Sequence, residues 1–136
     1  MHGKKNIVVG LFIMAGFMLY GFLLIYWRDF AADAAEWAAA YGNGKHFEAR
    51  LAHVHGNLFA FLNMLIGYLL FKLDIGDQQK KIVSWLGVIG ILMPVGILME
   101  LILNASPIFV LVGAVSMTAS VFLLGVFVAK SKKVIL

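Results

Sequence analysis

Ionisable and amide side chains are scarce in the apolar stretches of this chain, and where they occur they carry helical spacing. His46, Arg50, His53, Asn57, Ala60 and Met64 follow one another at intervals of four, three, four, three and four residues. At about 100° per residue this puts them on one stripe of a helix. The stripe begins polar and ends apolar, so it sinks from an aqueous face into a dry interior. An imidazole there can ligate a metal, carry a proton or bond a neighbouring helix, and the planar fork of Arg50 matches a carboxylate. His55 lies two residues past His53 and points away, toward the line of Glu48, Ala52, Phe59 and Leu62. His53-Val54-His55 is therefore no chelating pair, and the i, i+4 histidines of a zincin are absent. Glu100 is the lone acid in an otherwise apolar stretch, with Asn104 four residues beyond it. A carboxylate at that depth needs a partner, and Arg50 or a histidine at the same level is the expected one, whether to move protons or to lock two helices.

The elements that position these groups follow from composition. Of 136 residues, 62% are hydrophobic and 13% charged, far from the mixture of a soluble domain. Four stretches, at about 7–27, 48–71, 82–103 and 108–129, are long enough to cross about 30 Å of hydrocarbon as helices. The expected fold is an all-α integral membrane four-helix bundle, a single transmembrane domain over 1–136 in contact with the lipid bilayer. The first stretch, flanked by Lys4 and Lys5, is longer than a signal-peptide core and reads as a span. The absence of cysteine excludes disulfides, thiolate metal sites and a cysteine nucleophile. No phosphate loop, dinucleotide fingerprint or nucleophile elbow is present.

Charge sets the expected orientation. Lys4, Lys5, Lys72, Lys80, Lys81, Lys130, Lys132 and Lys133 flank one side of the spans, against Arg28, Lys45 and Arg50 on the other. By the positive-inside rule both termini are cytoplasmic, in a plasma membrane or bacterial inner membrane. The net charge of +4 belongs to that signal and implies no nucleic-acid partner. The long outer connection is rich in alanine from Asp29 to Tyr41 and ends at Gly42-Asn43-Gly44, which predicts a short helix over 29–41, lying at the interface as a connector or a lid. Glycines at 10, 16, 21, 87, 90, 96 and 113 offer thin faces for close helix contacts or for a homo-oligomer. Pro94 falls in the middle of the third span, where a kink could leave room for a ligand.

The run Leu51-Ala52-His53-Val54-His55-Gly56-Asn57-Leu58-Phe59-Ala60-Phe61-Leu62-Asn63-Met64-Leu65-Ile66-Gly67 resembles the second transmembrane helix of a family of bacterial membrane isomerases. That family includes hydroxylaminobenzene mutase and styrene oxide isomerase. Ala52-His53, Gly56 and Gly67 look like the family's Ala-His pair and its two following glycines, and Asn104-Ala105-Ser106-Pro107 is similar to a turn of the epoxide isomerase. The resemblance implies a trimeric protein that binds haem b and uses its iron as a Lewis acid on a small apolar substrate. By carry-over, His53 is the axial ligand, the one metal-binding residue, with His46 and Arg50 near the propionates and His55 as the alternative histidine of the motif. Glu100, Asn57 and Asn104 are then the polar groups beside the open coordination site. The sequence departs from the family where Phe59 replaces an asparagine. The epoxide isomerase's aspartate and tyrosine of the third helix have no counterpart, and Glu100 stands roughly at the tyrosine's place.

Two other classes fit the same residues. A non-enzymatic accessory or assembly subunit would use the polar stripe to bind a partner helix or a quinone. A proton-coupled transporter would use Glu100, although four helices without internal repeats give little material for alternating access.

Overall fold

A backbone amide among apolar side chains has no water to bond, and helices satisfy it internally. The computed structural model, which describes residues 2–131, consists of helices α1 (His2–Asp29), α2 (Ala34–Ala39), α3 (Gly44–Lys72), α4 (Asp77–Gly90), α5 (Leu92–Leu103) and α6 (Ile108–Lys130). Among the described residues no strand forms. α1, α3, the α4–α5 pair over Asp77–Leu103, and α6 are each long and apolar enough to cross a membrane. Phe12, Phe22, Ile102 and Phe122 are 66–77% exposed, an outer surface suited to lipid rather than water. These are the features of a multi-pass membrane protein. Lys132 and Lys133, counted above for orientation, lie outside the described residues.

The four long helices alternate in direction. One end of the bundle carries the start of α1 and the finish of α6, and is called here the termini end. The other carries α2 and the Asn104 turn, and is called the connector end. α1 packs chiefly on α3, and α6 on α4 and α5.

The third span is broken at Ile91, three residues before Pro94. Proline has no N–H for the Gly90 carbonyl and its ring crowds that carbonyl, so the ladder stops there and resumes with Val95 N–H donating to Ile91 O at 3.3 Å. The break leaves no opening toward α6, because a Cβ on Gly90 would stand 2.8 Å from Met117 Cε. At the connector end Asn104 adopts the left-handed conformation (φ 50°, ψ 38°) and its N–H donates to Glu100 O at 3.0 Å. It caps α5.

The connector helix is shorter than expected. Phe30 and Ala31 N–H both donate to Tyr26 O, so the first residues of the alanine-rich segment are used in ending α1. Only Ala34–Ala39 remains helical, and Gly44 at φ 60° turns the chain into α3.

Toward the termini end the helices are stitched by amides. Asn6, Asn63 and Ser84 are fully buried. Asn6 Nδ2 donates to Asn63 Oδ1 at 2.9 Å and to Ser84 O at 3.0 Å, while Asn63 Nδ2 donates to Gly87 O at 2.8 Å and Phe59 O at 3.1 Å. Ser84 Oγ donates to Asn6 Oδ1, and Ser120 Oγ to Val83 O at 2.8 Å. α1, α3, the third span and α6 are thereby tied by bonds that lipid cannot replace. Beside them α1 and α3 touch through Gly3 and Gly67: a Cβ on Gly67 would lie 3.0 Å from Ile7 N.

Candidate functional site

Toward the connector end the same seam opens. A cavity of about 440 Å³ lies between α1 and the first half of α3. Met18, Phe22, Leu24 and Ile25 of α1 form an apolar wall, while Arg28, Tyr41, His46, Arg50 and His53 supply polar groups. The i, i+4, i+7 spacing of His46, Arg50 and His53 thus faces α1, as one stripe must. Met18, Phe22 and Ile25 also present 45–66% of their surface outward, so the cavity is a groove that opens on the bundle's apolar exterior.

The three histidines of α3 differ in what they bond. His46 is 3% exposed, and its Nδ1–H donates to Trp37 O at 2.6 Å. Trp37 stacks on its ring at 4.6 Å and 21°, and Tyr41 meets it edge-on at 5.5 Å. Trp27 packs on Trp37 in turn, at 5.4 Å. His46 therefore pins the short helix α2 across the mouth of the α1–α3 seam. His55 Nδ1–H donates to Leu51 O at 2.9 Å, and its ring meets Phe59 rather than the cavity. The His53 ring makes no hydrogen bond to any described residue. Its ring lies 6.3 Å from Tyr20 and against Gly21, where a Cβ would stand 2.6 Å from Nε2. Any side chain at Gly21 would fill the space beside that nitrogen.

The polar groups of the connector end are partly committed. Arg50 Nη1 donates to Tyr41 O at 2.9 Å and its guanidinium lies 3.5 Å above the Tyr41 ring. Arg28 grips Asp29 through two bonds of 2.7 and 2.8 Å. The expected pairing of Glu100 with Arg50 or a histidine is not formed. Glu100 is exposed on α5 and the only ion pair among the described residues is Arg28–Asp29. Asn104 caps its helix, and Asn57 Nδ2 donates back to His53 O at 2.9 Å. Glu100, Asn57, Asn104 and His55 do not line the cavity, which brings together His46, Arg50 and His53.

Two contributors escaped the sequence reading, and a third, Gly21, was read only as a thin face for helix contact. Arg28 joins from α1, where it looked like a flanking charge. Gly21 makes room for His53. Tyr20 lies beside His53 with its hydroxyl buried and unpartnered among the described residues. No family model, no curated protein and no solved structure matches the chain.

Among the described residues no group of three or more His, Asp or Glu could hold a bare metal ion. One imidazole suffices for an iron already carried by a macrocycle. The donor set suits such a group in part: the His53 ring makes no hydrogen bond but packs tightly on α1 at Gly21, so its Nε2 is open to a ligand only if the helices part there, while the groove adds an apolar wall on α1 and two arginines for carboxylates.

Proposed function

We propose that this chain is an integral membrane protein, with both termini cytoplasmic, that binds haem b in the α1–α3 groove through His53. The observation that carries it is the contrast among the histidine rings of α3: those of His46 and His55 each give Nδ1–H to a carbonyl, while the His53 ring lines the groove with no hydrogen bond among the described residues. The likeness of the His53 helix to membrane isomerases supports the same reading and extends it to an isomerase-like enzyme working as a homo-oligomer on a small apolar substrate. When bound, the haem iron would supply a Lewis acid.

The chain's own residues have separable tasks in this reading. His53 would offer a ring nitrogen, with the α1 backbone at Gly21, now packed against it, moving aside. Arg28 and Arg50 would meet the haem's carboxylates, exchanging their present partners Asp29 and Tyr41 O; an exposed pair such as Arg28–Asp29 contributes little. Met18, Phe22, Leu24 and Ile25 would exclude water from the bound group. The Trp37–His46 stack closes the aqueous end, so an apolar molecule would reach the groove from the lipid side.

The purified protein's visible spectrum tests this. A Soret band is expected that His53→Ala abolishes and His55→Ala retains; its absence, or its survival in His53→Ala, refutes the assignment.

A further inference from the structure

A second cavity, of about 370 Å³, lies between α3 and α6 toward the termini end. Leu62, Ile66 and Leu69 on one side and Leu124, Gly125 and Val128 on the other form most of its wall, and none of the residues lining it has a polar side chain. The groove exists because α3 and α6 hardly touch, with α4 packed against both. From Leu62 to Leu69 it runs about 10 Å at ~1.5 Å per residue. Such a slot accepts a hydrocarbon chain and nothing polar.

Gly125 is the informative residue. A glycine inside a helix is about 1 kcal/mol worse than alanine, and the other glycine of α6, Gly113, is pressed against the backbone at Met93. Nothing stands within 4 Å of the Cβ position of Gly125. It serves no helix contact and leaves the slot open.

The ends of the slot differ in charge. α3 and α6 run in the same direction, and each finishes on a lysine beside the wall: Lys72 three residues past Leu69, and Lys130 next to Ala129, which also lines the slot. Both lysines are exposed and neither forms an ion pair among the described residues. Two cations at the head of an apolar slot match a phosphate above an acyl chain.

The geometry points to a binding site for one anionic diacyl phospholipid, with an acyl chain along Gly125 and the phosphate between Lys72 and Lys130. It is independent of the histidine groove. Lysines placed there only to complement helix C-termini would give no preference among headgroups.

Native mass spectrometry of the full chain, released from detergent after incubation with phosphatidylglycerol or with phosphatidylcholine of the same acyl chains, separates the two. A preference of up to roughly thirtyfold for phosphatidylglycerol is expected from two lysines. K72Q/K130Q should erase that preference, and G125L should lower retention of both lipids. Equal retention by the unmodified chain, a preference that survives K72Q/K130Q, or undiminished binding by G125L would overturn the assignment. The lysine comparison holds on its own if G125L lowers the melting temperature.

Discussion

The seam between α1 and α3 is built in two ways. Near the termini Gly3 and Gly67 bring the backbones into contact, and Asn6, Asn63 and Ser84 bond one another and nearby carbonyls. Near the connector a groove of about 440 Å³ runs along α1 and α3, and the His53 ring and the Tyr20 hydroxyl have no hydrogen bond among the described residues. Both ends place polar groups in apolar surroundings. An unpaired polar group there carries a penalty that a paired one does not. At the termini end the amides pair one another while Lys5 Nζ meets only the Trp85 ring; at the connector end the His53 ring lines the groove and the Tyr20 hydroxyl lies on the other side, against a separate recess.

Substitutions can break this contrast in order of effect. Gly67→Val should do most damage, since its new atoms would meet Gly3 O and the backbone at Ile7. Overpacking of this kind destabilises by about 1–3 kcal/mol or more, read as a fall in the circular-dichroism melting temperature in detergent. An unchanged melt would mean that the seam is not closed there. Asn63→Leu should cost about 1–3 kcal/mol, because Asn6 and Gly87 O lose their partner inside the bundle. If it melts like the unmodified chain, the amide cluster is no lock. Tyr20→Phe has the smallest effect and the opposite sign: removing an unpaired hydroxyl should stabilise the ligand-free protein by up to about 1 kcal/mol. A loss of stability would reveal a partner for that hydroxyl.

The four spans were legible in the sequence because length and apolarity alone define them, and the His46–Arg50–His53 stripe was legible because it lies within one helix, where spacing fixes direction. Groups joined across helices were not. Asn6 follows Lys4 and Lys5 and looks like part of a charged flank, and Ser84 looks like an ordinary residue near a helix start; only packing makes them a cluster with Asn63. Arg28 reaches the groove from α1, 22 residues before Arg50 in the chain. The Glu100 pairing failed for a related reason. Its depth could be judged from sequence, but whether a side chain at that depth meets another helix is set by packing: Glu100 stays exposed although Gly96 and Ile97, on the same stripe of α5, are buried. Likewise Asp29–Tyr41 has the composition of one helix, yet the way α1 ends uses its first residues.

The most direct measurement is a haem titration of the purified full chain in detergent, followed by Soret absorbance, for the unmodified protein beside His53→Ala and Asn63→Leu. The two-ended seam predicts saturable binding at one haem per chain in the unmodified protein, retained by Asn63→Leu while it is folded and lost in His53→Ala. Equal Soret amplitude in His53→Ala, or no saturable band in the unmodified chain, would contradict a haem site at the open end.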